Sequence, residues 1–170
     1  MKAQSNISKR AAELNKQAII IDAHCDILMP ITDGKIRLND RVDVPDSAAW
    51  QAPQFSGLIK GAMTQFSPHA LYFGPIGQYS IPQFLEGGLT VQGCAIYLED
   101  TQLDRALQRG LDMIWSFHRE VNENENFEIV TSTADIRRIK KENKCGGILT
   151  LEGFEPLGSE LRYLDIFYKL

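Results

Sequence analysis

The stretch AIIIDAHCDIL, residues 18–28, carries three isoleucines, Ile19 to Ile21, into Asp22 and then into His24, Cys25 and Asp26. A continuous apolar run predicts a strand covered on both faces, as in a parallel sheet. Side chains two apart on a strand share a face, so His24 and Asp26 are expected to look into one space while Cys25 points the other way. The stretch therefore reads as a buried strand that ends in chemistry.

A second stretch has the same form. In GGILTLEG, residues 146–153, Glu152 closes an apolar run and Gly153 lets the backbone turn sharply. One imidazole and two carboxylates gathered at the ends of such strands make a donor set for a divalent metal of the zinc type. His24, Asp26 and Glu152 are accordingly the candidate ligands.

Between these strands the pattern alternates. Pro82 opens a short helix that Gly87-Gly88 closes, and Val91 to Leu98 reads as a strand. Leu103, Leu107, Leu111, Ile114, Phe117 and Val121 follow helical spacing, with Asp100 or Thr101 as caps, and predict a long helix that lays this stripe on a sheet. FEIVTS, residues 127–132, is the next strand, and Ser132 with Asp135 has the form of a capping box for the helix after it. Leu161, Leu164 and Phe167 mark a last helix. Residues 30–80, rich in Pro, Gly, Asp, Ser and Gln, read as a long loop excursion, a length that points to function.

Four βα units in 170 residues suit either a small doubly wound sheet or part of a (β/α)8 barrel. Barrels gather their active-site groups at the C-terminal ends of the strands, and the polar ends of these strands favour that architecture. The fold class is therefore α/β, the N-terminal part of a (β/α)8 TIM-like barrel, with residues 1–170 as a single domain. In a half barrel the first and fourth strands would be open parallel edges, which favours self-pairing as a homodimer or a missing C-terminal half.

Composition narrows the partners. With 44% hydrophobic and 24% charged residues the chain has a core-forming, globular make-up. A net charge of -4 and a pI near 5.4 argue against nucleic acid or an anionic membrane surface as a partner, since each selects basic patches. The first residues hold no apolar leader segment, and no run approaches the roughly 18–20 apolar residues of a membrane span, so a cytoplasmic location is expected. Cys25, Cys94 and Cys145 have no metal-type spacing and read as buried, inert thiols. His118 belongs to the edge of a helical stripe, His69 to the long loop, and NENEN (122–126) to a solvated connection.

IIIDAHCDIL, IPQFLEGGLTVQGCAIYLED, VTSTADIRRI and GGILTLEGFEPLGSELRYLDIFYKL resemble, in order and spacing, the successive N-terminal blocks of the membrane (renal) dipeptidase family of zinc metallopeptidases. The resemblance covers most of residues 18–170. It implies an amidohydrolase-type barrel with two zinc ions that hydrolyses dipeptides by metal-bound hydroxide. By position, it implies that His24 and Asp26 bind the first metal and that Glu152 bridges both. The family's second-metal histidines, a substrate-contacting histidine and a catalytic aspartate lie beyond the block that ends at Leu170, and no histidine follows His118. The chain thus looks like the N-terminal half of such an enzyme, carrying no assigned catalytic residue. A non-catalytic truncated fragment is the alternative. Another metal-dependent amidohydrolase-type hydrolase would more naturally show HxH than the HxD of His24 and Asp26.

Overall fold

The computed structural model describes residues 2–41 and 79–170. The greater part of the expected long loop, His69 included, lies outside the described residues. Helix α1 (Lys2–Gln17) leads into β1 (Ile21–Cys25) and the short helix α2 (Leu28–Thr32). Helix α3 (Ile81–Gly87) is followed by β2 (Val91–Ile96), a 3-10 turn at Asp100–Arg105 and the long helix α4 (Ala106–Asn122). The chain continues through β3 (Phe127–Ile129), α5 (Thr133–Lys141), β4 (Cys145–Leu151), a 3-10 turn at Glu155–Leu157 and α6 (Arg162–Phe167).

Among the described residues all strand pairs are parallel, and the four strands lie in the order β1-β2-β4-β3. The fourth strand is thus interior, and the edges are β1 and β3 rather than the first and fourth strands. Helix α4 carries the chain past the place that β4 will fill, and α5 brings it back. Such a reversal, with both crossovers right-handed, puts the two helices on opposite faces of the sheet. The adjacent glycines of β4 register this: a methyl group on Gly146 would strike Val130 and Ile139 beside α5, whereas one on Gly147 would strike the rings of Phe117 and Phe127 beside α4. Neither approach leaves room for a side chain. Strand β3 pairs only with Cys145–Gly147, so β4 from Ile148 onward is bonded to β2 alone among the described strands.

The main core lies between the sheet and α4. Cys25, Cys94, Ile96, Met113, Phe117 and Phe127 are buried together there, and the Phe117 and Phe127 rings meet edge to face at 6.0 Å. A smaller cluster of Val91, Val130 and Ile139 closes the N-terminal end of the opposite face under α5. Among the described residues little covers that face at β1, and the isoleucine run departs from its expected burial on both sides: β1 begins only at Ile21, and Ile21 is 51% exposed.

Helix ends follow the sequence signals. The Ser80 hydroxyl accepts from Gln83 N, Pro82 occupies the first turn of α3, and Gly88 closes it at φ 76° in the left-handed region. Ser132 caps α5 by accepting from Asp135 N at 3.2 Å and donating to Asp135 Oδ2 at 2.7 Å. The long helix departs from expectation in its start and its rotation. Residues 100–105 form a 3-10 turn, and Arg105 precedes α4 without a side-chain cap. Ile114 and Phe117 are buried as expected, but Leu103, Leu107 and Leu111 are exposed. The buried arc instead runs through Ala106, Arg109, Gly110, Met113, Ser116 and Glu120. Gly110 admits Pro156 and Phe167 against α4, and this close approach turns the helix away from its leucine file.

The buried polar residues of α4 hold the segment that leaves β1. Glu120 accepts from Arg37 Nε at 2.6 Å and from Leu38 N at 2.9 Å, and Arg37 also pairs with Glu123. Arg109 donates to Asp33 Oδ1 at 2.7 Å. Burial alone would raise the pKa of Asp33, but hydrogen bonds from Lys35 and Arg109 outweigh it and hold the carboxyl below its usual value. These ties fix the path of the chain immediately after His24 and Asp26.

Candidate metal centre

His24 is the penultimate residue of β1, Asp26 follows the strand, and Glu152 is the first residue after β4. Strand β2 separates the two strands, yet the three side chains converge on the open face at the C-terminal end of the sheet. His24 Nε2 stands 3.5 Å from Asp26 Oδ1 and 3.5 Å from Glu152 Oε2. One ligand atom from each residue lies within 4.8 Å of the others. All three side chains are about half exposed, at 52%, 51% and 50%.

The distances carry chemical meaning. A charge-assisted bond between imidazolium and carboxylate closes to about 2.7–2.9 Å, so at 3.5 Å these groups surround a space rather than bond across it. Two ligands held at about 2.1 Å by one tetrahedral ion stand about 3.4 Å apart. The donor set, one imidazole nitrogen with carboxylate oxygens, therefore fits a borderline-hard divalent ion in chemistry and in spacing.

The remaining candidates fall elsewhere. Cys25, Cys94 and Cys145 are free and buried on the face toward α4. Burial pushes the Cys145 thiol up to about 12, and a hydrogen bond with Cys25 together with burial raises that of Cys94 well above its ordinary value. Groups so reluctant to ionise are poor ligands. His118 is half-buried on α4, edge-on to Phe117, with Nε2 3.2 Å from the Leu170 carbonyl oxygen. One participant escaped the sequence reading: Asp22 Oδ1 accepts the backbone N–H of His24 at 3.2 Å. Nothing in the residue order marks an aspartate mid-strand for that task.

The profile of the membrane dipeptidase family, peptidase family M19, matches residues 8–170. The chain belongs to this family. Comparison with curated protein sequences found no match. Among solved structures, the chain is similar to dipeptidase AC, a metallo-peptidase of family M19, with a TM-score of 0.58 and 18% identity over 89% of this chain. It is also similar to a metallo-peptidase from Rhodobacter sphaeroides bound to a phosphinate mimic of the dipeptide L-Ala-D-Ala, with a TM-score of 0.55 and 18% identity over 89% of this chain. These likenesses establish the fold, a part of the TIM-barrel-like architecture of the M19 dipeptidases. The chain spans 40% and 42% of the two structures' lengths. Among the described residues no helix is long and apolar enough to cross a membrane.

Proposed function

We propose that the chain carries the first-metal half of a zinc dipeptidase site. His24 and Asp26 hold one ion, and Glu152 supplies an oxygen to it and to a second ion. The observation that carries this reading is the pair of 3.5 Å separations around His24 Nε2, too long for direct bonds and suited to ligands of a shared ion. A divalent ion held there supplies Lewis acidity toward a peptide carbonyl and acidifies water toward a pKa of about 7. The chain's own residues set where that chemistry happens: β1 and β4 deliver the ligands to one rim, and the ties from α4 to Asp33 and Arg37 hold the segment that follows them.

The substrate under this reading is a dipeptide and the reaction hydrolysis of its peptide bond. The free thiols suit a reducing, cytoplasmic setting. Residues 1–170 act as one incomplete barrel domain. The open face and the edge of β1 take either a C-terminal half or a second copy. Because the chain spans 40% of the first related structure, the fragment by itself is expected to turn over dipeptides little or not at all. A catalytic zinc keeps about three protein ligands, and a second ion needs more than His24, Asp26 and Glu152 provide.

Chemical denaturation with and without zinc tests the site. At free zinc near 100 times its dissociation constant, the unfolding free energy should rise by about 2.7 kcal/mol, and His24→Ala should abolish the increase. Equal stabilisation of the wild-type chain, His24→Ala and Glu152→Ala would place the ion elsewhere. Dipeptide turnover by the zinc-loaded fragment at the rate of a full-length relative would refute the half-site reading.

A further inference from the structure

Strand β1 does not keep one register along its length. Ile21 pairs with Val91 and Asp22 with Gln92, but the next partners are Cys25 and Cys94. Two residues of β1, Ala23 and His24, therefore stand opposite one residue of β2, Gly93. This is the count of a β-bulge, uncommon between parallel strands and often found where a side chain must be re-aimed.

Alternation shows what the extra residue changes. Were the first register continued, His24 would pair with Cys94 and Cys25 with Ala95. His24 would then face the core under α4, and Cys25 the open face. The register before the bulge is held because Thr90 N and Val91 N donate to the Ile20 carbonyl at 2.8 and 3.1 Å, and Ile20 N donates to Thr90 Oγ1 at 3.2 Å. The register after it is held by burial of Cys25, Ile27 and Leu28 in the main core. One additional residue reconciles the two.

Three residues build the bulge. Gly93 makes room: a Cβ there would fall inside contact distance of the Ala23 carbonyl oxygen and 2.6 Å from its carbon. Gln92, buried, donates from Nε2 to the Asp22 carbonyl at 3.4 Å and to the Gly93 carbonyl at 3.1 Å. Asp22 Oδ1 takes the His24 N–H at 3.2 Å, a donor that stands where the register of the ladder shifts.

We infer that Asp22, Gln92 and Gly93 are positioning residues, whose bulge turns His24 and Asp26 onto the face where Glu152 stands. The functional meaning of this inference rests on the metal reading proposed above; the bulge itself is tested without metal.

The experiment uses the 170-residue chain, with Co2+ absorption as the probe of the ligand set and reaction with an aromatic disulfide reagent, mapped by mass spectrometry, as the probe of Cys25. Gly93→Ala should weaken Co2+ binding by about ten- to a hundredfold, the scale of losses when ligand orientation is disturbed. It should also make Cys25, 2% exposed in the native chain, reactive under native conditions. Deleting Ala23 in the Gly93→Ala chain should restore both properties. His24 then stands opposite residue 93 on the open face, Cys25 keeps Cys94, and no carbonyl is pressed against the new methyl group. Asp22→Ala should weaken Co2+ binding, and Asp22→Asn, which keeps an acceptor oxygen, should recover it; this pair decides if Gly93→Ala does not fold. Native Co2+ affinity and a protected Cys25 in Gly93→Ala, or failure of the deletion to rescue, would overturn the inference. If the wild-type chain binds no Co2+, the metal reading falls, and Cys25 reactivity alone decides the bulge.

Discussion

On the face covered by α4, Cys94, Ile96, Met113 and Phe117 are sealed from solvent, whereas on the opposite face Ile21, His24 and Glu152 stay half exposed. The two faces belong to the same strands and differ by one residue of alternation. The covered face is specified by shape: Gly147 is bare because two phenylalanine rings occupy its place. Among the described residues the open face carries the Val91, Val130 and Ile139 cluster at its N-terminal end and ionisable groups at its other end. Packing thus decides stability on one side and leaves the other free for chemistry.

The sharpest break of this comparison is a pair of truncations. Phe117→Ala should lower the unfolding free energy by about 3–5 kcal/mol, the cost of emptying a packed aromatic site. His24→Ala, measured without metal, should stay within about 0.5 kcal/mol, as for a surface position. Urea unfolding of both variants checks this, and comparable losses would mean that the open face is also structural. A smaller effect should follow Ser132→Ala, which removes the cap of α5, the helix whose Ile139 packs on the open face: about 1 kcal/mol by the same measurement.

The smallest effect concerns acid. The Arg138 guanidinium and then the Lys144 ammonium, both hydrogen-bonded to Glu128, hold that carboxyl below its ordinary 4.5. A depressed folded pKa stabilises the chain above the unfolded value, and this contribution is lost as pH falls below about 4.5 and through the folded pKa. Glu128→Gln should therefore flatten the acid limb of the stability profile below pH 4.5 and leave neutral pH little changed, since the pair is partly exposed. A flattened limb at neutral pH instead would place the relevant titration elsewhere.

Much of the local structure was legible because it depends on neighbours in sequence. Ser80, Pro82 and Gly88 bound one helix, and Ser132 with Asp135 opens another, through contacts made within a single turn. The buried stripe of α4 is not legible in the sequence, for the opposite reason. Leucines at 103, 107 and 111 have helical spacing, but which arc of a helix is buried depends on what lies beside it, and the partners at Gly110 come from residues 156 and 167. The exposure of β1 is not legible either, since an apolar run does not say how many faces are covered.

The sequence alone determined that two apolar strands end in His24, Asp26 and Glu152, because strand periodicity and an acid after an apolar run are properties of adjacent residues. Only the tertiary structure decided that these ends meet. The order β1-β2-β4-β3, with the fourth strand moved inward, sets Glu152 one strand away from β1, and the extra residue opposite Gly93 chooses the face on which His24 emerges. Both are matters of pairing between residues some 55 to 70 positions apart, which hydrogen bonds across a sheet settle and local preferences do not.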